Sequence, residues 1–280
     1  MLRRWFDVPW PERDYLFCRE RGFIYCPIPK VACTSLKDWL DGLVAEPGDQ
    51  PSADPRVVHA RVLERCGLRN VSRRQARLIC ADERFIRFAL VRNPWERLVS
   101  SFLNKFVPLE RSAQRALVRR SRLRTRQRLT LVSADEPQSA TAAVDRVEGF
   151  TFREFVDYVS TERPLKLDKH WRPQHLFLAA HRFDFVGRFE SLSVDFSRIC
   201  ELVGLEPTLL NRRNATSYGL DVEPTRSFAD CPLWELRAMP AFPRWRQFYT
   251  QQLVAQVAAV YRADIARFNY SWHDAARRAA

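Results

Sequence analysis

Two rhythms of apolar residues run along the chain. Phe23-Ile24-Tyr25 is a short aromatic and β-branched run closed by Pro27 and Pro29, the pattern of a buried strand. From Thr34 the spacing changes to threes and fours, with Leu36, Trp39, Leu40, Leu43 and Val44 on one face of a helix that Thr34 or Ser35 is placed to cap. The pair of patterns then repeats. Phe85 to Val91 reads as a second buried strand, and Asn93-Pro94 opens a helix with Trp95, Leu98, Val99, Phe102, Leu103 and Phe106 inward, leaving Arg97, Ser100, Ser101 and Asn104 on the other side. After residue 150 the rhythm resumes. Thr151 and Glu154 form a capping box before Phe152, Phe155, Val156 and Val159, and residues 183–188 read as a strand. Ser193 is placed to cap a helix carrying Val194, Phe196, Ile199, Cys200 and Val203 that stops at Gly204, and a last helix from near Thr250 presents Leu253, Val254, Val257, Tyr261, Ile265 and Phe268. This alternation predicts one α/β domain over 1–280, a central parallel sheet flanked by helices.

Polar residues at the strand ends add chemistry. A strand, a short loop and a helix start bring unpaired N–H groups and the positive dipole end to one point, and Lys30 adds a full charge there. Arg92 closes the second strand, where it and Ser100 are free to hold a further phosphate by fork and hydroxyl contacts. Two anion sites at neighbouring strand ends suit a nucleotide with phosphate at both ends. The loop has no glycine and carries its lysine early, unlike the Gly-x-x-x-x-Gly-Lys-Ser/Thr loop of ATP and GTP enzymes. Arg92 stands where a metal-dependent phosphotransferase commonly offers an aspartate, so a metal-free transfer is expected. The plainer readings are a solvated Lys30, and Arg92 and Arg97 paired with Glu96 or another carboxylate.

Pro29-Lys30-Val31-Ala32-Cys33-Thr34-Ser35 resembles the 5′-phosphosulfate loop of the carbohydrate sulfotransferases, and Arg92-Asn93-Pro94-Trp95-Glu96-Arg97-Leu98-Val99-Ser100 resembles their 3′-phosphate motif. The nearest pattern is the chondroitin 4-O-sulfotransferase and HNK-1 sulfotransferase branch, extended by His170-Trp171-Arg172-Pro173-Gln174, by residues 183–190 and by the C-terminal segment 248–270. The resemblance implies a P-loop-NTPase-like sulfotransferase fold, with 3′-phosphoadenosine 5′-phosphosulfate (PAPS) as donor, adenosine 3′,5′-bisphosphate as product, and a carbohydrate hydroxyl as acceptor. It assigns Pro29, Lys30, Val31, Ala32, Cys33, Thr34 and Ser35 to the 5′-phosphosulfate, Lys30 to the departing bridging oxygen, and Arg92, Arg97 and Ser100 to the 3′-phosphate end. Arg213 or Arg212, in the basic loop 211–216, is assigned to the donor or the acceptor. A proton acceptor is also required. His59 lies between the two motifs, in the order of the histidine base of the similar heparan sulfate 2-O-sulfotransferases, and is placed first. His170, in the shared segment, is the alternative as base or acceptor ligand, and Glu190 is a further acid or base; a structural histidine is the plain reading of either ring. The rival functions are a Mg-ATP-dependent phosphotransferase on a similar fold and a non-catalytic polyanion-binding protein.

Charge bears on the acceptor. The 280 residues carry a formal net charge of +13, and arginines crowd positions 111–128 within what reads as an insertion near 108–148. Such a field draws in an anionic polymer, which makes the insertion either an acceptor-binding rim or a solvated basic helix. Nucleic acid is the rival polymer, without a recognisable module to bind it. No apolar run reaches membrane-spanning length and the start lacks a signal-peptide centre, so a cytosolic protein is expected, with peripheral membrane contact left open. The eukaryotic branch it resembles is made of Golgi membrane enzymes, so a shortened chain from the Golgi lumen is the alternative. The seven cysteines are odd in number and lack a Cys-x-x-Cys pair, which argues against a disulfide framework or a zinc site. Oligomeric state is not written in the sequence.

Overall fold

The computed structural model describes residues 8–110, 113–114, 116–117, 148–211, 218–219 and 226–274. In chain order its elements are β1 (Leu16–Cys18), β2 (Phe23–Cys26), α1 (Cys33–Leu43), α2 (Pro55–Cys66), α3 (Arg73–Ala81), β3 (Ile86–Val91), α4 (Pro94–Lys105), α5 (Phe152–Thr161), β4 (Phe185–Arg188), α6 (Leu192–Leu202), α7 (Leu233–Ala238), α8 (Gln251–Val260) and α9 (Arg262–Phe268), joined in places by single 3₁₀ turns. The chain divides into two compact units, one of residues 1–93, 173–215 and 266–280, the other of 94–172 and 216–265.

The first unit holds the sheet, in the order β1-β2-β3-β4. β2 and β3 are parallel in the register Phe23 to Ile86 and Cys26 to Ala89, and β3 and β4 are parallel from Phe88 opposite Phe185 to Val91 opposite Arg188. All four residues of β2 are buried, as a strand covered on both faces requires. β1 adds an antiparallel edge to the parallel sheet, with Leu16 opposite Tyr25. Three residues are too few for a periodic signal, so the sequence reading begins at β2. The same reading passes over α2 and α3. Only Val58, Val62 and Cys66 of α2 are buried, a one-residue-wide stripe, and α3 buries just Ala76 and Cys80. Their caps are the clearer signal: Asp54 accepts the Arg56 N–H before Pro55, and Ser72 with Gln75 makes a reciprocal box.

The parallel register places the exits of β2, β3 and β4 at one edge of the sheet, the edge where open α/β sheets bind ligands. β4 packs so closely there that a Cβ on Gly187 would stand 2.7 Å from Leu90 Cδ2 and 2.9 Å from Asp195 Cβ. α6 starts at Leu192, with Ser193 inside its first turn; Ser191 is the N-cap and gives no side-chain cap, its hydroxyl donating to Asp195 Oδ2 instead. Gly204, with φ +70°, ends that segment.

The second unit is built on aromatic side chains. Phe102 of α4 has ring contacts with Phe106, Phe152, Phe155 and Phe248 at 5.4–6.4 Å. Trp95 Nε1–H donates to Val254 O at 3.1 Å, and the Tyr249 hydroxyl donates to Trp95 O at 2.9 Å, tying α4 to α8. Thr151 and Glu154 form the expected box at α5, and Thr250 accepts the Leu253 N–H at the start of α8. The last helical stretch is two helices, α8 and α9, meeting at Tyr261.

Candidate functional site

The loop between β2 and α1 is drawn inward by Ile28 and Val31, 1% and 0% exposed. Between and after them the backbone turns left-handed at two residues that are not glycine, Lys30 at φ 69° and Ala32 at φ 49°. Each such residue costs about 1–2 kcal/mol, so the surrounding packing must impose the turn. Ala32 is the N-cap of α1, which has no side-chain cap; the helix begins at Cys33, one residue earlier than its periodicity predicts, and Thr34 and Ser35 stand in its first turn instead of before it. The helix start, which Ala32 leaves without a side-chain cap, and Lys30 adjoin at this loop, an arrangement that suits an anion.

Arg92 follows the last residue of β3 and is 6% exposed. Its Nη1–H donates to the Lys30 carbonyl at 3.0 Å, and its guanidinium lies over the Phe189 ring at 4.1 Å. Two residues 62 positions apart, each at a strand exit, are thus in direct contact. The Arg92 main chain is held as well. The side-chain amide of Gln174, itself 0% exposed, accepts the Arg92 N–H at 2.9 Å and donates to the Arg92 carbonyl at 2.8 Å. One residue on, Asn93 N–H donates to Glu190 Oε1 at 2.6 Å, and Glu190 Oε2 accepts from the Tyr270 hydroxyl at 3.0 Å. Burial and the adjacent Glu190 carboxylate push the Tyr270 phenol far up. With both carboxylate oxygens engaged, Glu190 braces the strand exit, a role that its position after β4 did not announce.

The two histidines differ in which ring nitrogen is taken. In the first unit, Lys37 Nζ of α1 lies 2.6 Å from His59 Nδ1 of α2. An ammonium only donates, so Nδ1 is the acceptor and the His59 proton sits on Nε2. In the second unit, His170 Nδ1 lies 2.6 Å from Asp168 Oδ1. A carboxylate only accepts, so here Nδ1 carries the proton and Nε2 keeps its lone pair. Burial lowers the His170 pKa from its ordinary 6.5, partly opposed by Asp168.

Ser100 of α4 is 2% exposed, and its hydroxyl makes no hydrogen bond to the described residues. Arg97 is engaged by backbone. It is 1% exposed, and its guanidinium donates to the Arg172 carbonyl at 2.9 Å and the Lys169 carbonyl at 3.1 Å, with neighbouring Ser101 donating to His170 O at 2.7 Å. Arg97 therefore secures the 168–172 segment, because a buried guanidinium needs acceptors and these two backbone carbonyls serve as such. Arg212, Arg213 and every arginine of the run 111–128 lie outside the described residues. Among the described residues no three His, Cys, Asp or Glu side chains are grouped to hold a metal ion, and no helix is long and apolar enough to cross a membrane.

The sequence profile of the sulfotransferase family matches residues 13–271. The chain belongs to the sulfotransferase family. Mouse carbohydrate sulfotransferase 11 is 24% identical over 265 residues, covering 90% of this chain and 65% of that protein. Human carbohydrate sulfotransferase 14 is 31% identical over 200 residues, covering 70% and 48%, and mouse carbohydrate sulfotransferase 12 is 26% identical over 293 residues, covering 96% and 62%. The chain thus spans less than two thirds of the length of these relatives. No solved structure matches it. Gln174 and Phe189 were not singled out from sequence. Both lie in segments that carry the resemblance, but a glutamine or phenylalanine gains a role only from what it faces.

Proposed function

We propose that this protein moves a sulfuryl group from PAPS to a hydroxyl of a carbohydrate acceptor. The observation that carries this reading is the contact of the Arg92 guanidinium with the Lys30 carbonyl, which joins the 5′-phosphosulfate loop and the 3′-phosphate motif at neighbouring strand exits. The residues fit the donor: a helix start with no side-chain cap and a lysine for the phosphosulfate, a pre-set arginine for the second phosphate. Ser100, with a hydroxyl not engaged by the described residues, is assigned to that phosphate too. The relatives' names support a carbohydrate acceptor.

In the transfer, the acceptor oxygen forms a bond to sulfur as the bond from sulfur to the bridging phosphate oxygen breaks. Lys30 neutralises the charge that grows on the departing oxygen. The proton of the acceptor hydroxyl goes to a base. His170 has the hydrogen bonding of a general base, because Asp168 fixes the tautomer with a bare Nε2 and the lowered pKa keeps the ring neutral near pH 7. His59 has the opposite tautomer, which moves it behind His170 in this reading.

Thermal unfolding with adenosine 3′,5′-bisphosphate in the presence of EDTA tests the donor. Stabilisation that Lys30→Ala and Arg92→Ala each weaken is expected. Stabilisation only by Mg-ATP would sink the reading in favour of a phosphotransferase. Transfer of labelled sulfate to a saccharide panel then tests the acceptor, and a folded, donor-binding protein that sulfates none would point to the non-catalytic alternative.

A further inference from the structure

Beyond β3 the sheet no longer pairs the chain, yet Arg92 is held as if in a strand. Its N–H and C=O both pair with one side chain, the carboxamide of Gln174, at 2.9 and 2.8 Å, in the donor-and-acceptor pattern that a neighbouring peptide would present. Gln174 is 0% exposed, so both bonds form away from water, where a lost partner is costly. The other end of Arg92 is fixed by stacking on Phe189 and by its bond to the Lys30 carbonyl. An arginine held at its main chain and at its guanidinium keeps one orientation, whereas a free arginine samples many rotamers.

We propose that Gln174 is a positioning residue for the 3′-phosphate: by standing in for a strand beside Arg92, it aims the guanidinium that distinguishes a 3′-phosphorylated nucleotide from one without that group. The inference rests on the donor assignment above and adds to it the residue that sets its selectivity. Gln174 touches no reacting atom. It acts through Arg92, so its removal changes recognition of the 3′ end and leaves that of the 5′ end intact.

Affinities for adenosine 3′,5′-bisphosphate and adenosine 5′-phosphate, measured by calorimetry on the full chain, separate these effects. Gln174→Met keeps the volume and removes both bonds. It is expected to lower the ratio of the two affinities about tenfold, the scale of one charge-assisted hydrogen bond, with adenosine 5′-phosphate binding within about twofold of wild type. A merely structural role would weaken both nucleotides alike and leave the ratio unmoved, and that result overturns the inference. Gln174→Glu, which keeps the acceptor for the Arg92 N–H but cannot donate to its carbonyl when ionised, gives the same reading should the methionine variant not fold. A wild-type ratio near one would overturn the donor assignment and the inference together; a large wild-type ratio that survives both substitutions overturns the inference alone.

Discussion

Which ring nitrogen holds the proton separates two histidines that look equivalent in sequence. Lys37 beside His59 Nδ1 and Asp168 beside His170 Nδ1 dictate opposite tautomers, because one partner only donates and the other only accepts. His170→Asn, which retains a donor for Asp168, is therefore expected to lower the sulfate-transfer rate constant by about 10²–10⁴-fold, and His59→Asn by far less. A larger loss at His59 would reverse the assignment. The pH dependence follows from burial, which lowers the His170 pKa below 6.5. Catalysis should hold down to that lowered value before falling on the acid side. Stability has its own sign. The unfolded chain binds the His170 proton more readily than the folded one, so its contribution is complete above about pH 6.5 and is lost as pH falls through the lowered folded value. Urea unfolding between pH 5 and 8 should show that slope in wild type and a shallower one in His170→Asn.

At the scale of the element, the loop at 30–32 shows why the helix was legible and its start was not. Apolar spacing fixed the face of α1, but hydroxyl residues at 34 and 35 drew the predicted start past Ala32, whose left-handed φ is imposed by the burial of Ile28 and Val31. The strands β2 and β3 were readable as apolar runs closed by Pro27 or Arg92, and α4 and α5 because burial recurs along them. β1 and α2 were not, one being too short and the other too thinly buried to leave a pattern. At the site, Lys30 and Arg92 could be singled out because charge at a strand exit is unusual, whereas Gln174 acts only across a sequence gap that periodicity does not bridge. The strain itself is testable. Ala32→Gly relieves about 1–2 kcal/mol of left-handed cost and loses about 0.5–1 kcal/mol to the greater freedom of the unfolded chain. The variant should be as stable as wild type or slightly more so in urea, and should bind adenosine 3′,5′-bisphosphate more weakly because its loop is less fixed. Ala32→Val, β-branched at a positive φ, should lose stability outright. Tighter nucleotide binding by the glycine variant would show that the strain does not pre-order the loop.

Over the whole molecule the formal net charge of +13 includes two concentrations of arginine that experiment can separate. Arg73, Arg74 and Arg77 of α3 are exposed and make no ion pair among the described residues, and the arginines at 111–128 form the second concentration. If positive charge acts only as a general field that raises the local concentration of an anionic acceptor, equal removal from either place should raise the acceptor KM equally, and salt should cancel both effects. If the second concentration is a rim that grips the acceptor, its position matters as well as its charge. The second outcome is expected, because contact at short range is screened far less than a field acting beyond the Debye length of about 8 Å at physiological ionic strength. Gln in place of Arg119, Arg120 and Arg122 should raise the KM for an anionic saccharide several-fold more than Gln in place of Arg73, Arg74 and Arg77, with the KM for PAPS unchanged by either set. Steady-state sulfate transfer at two salt concentrations reads both quantities. Equal shifts that vanish together in high salt would reduce the arginine run to its charge.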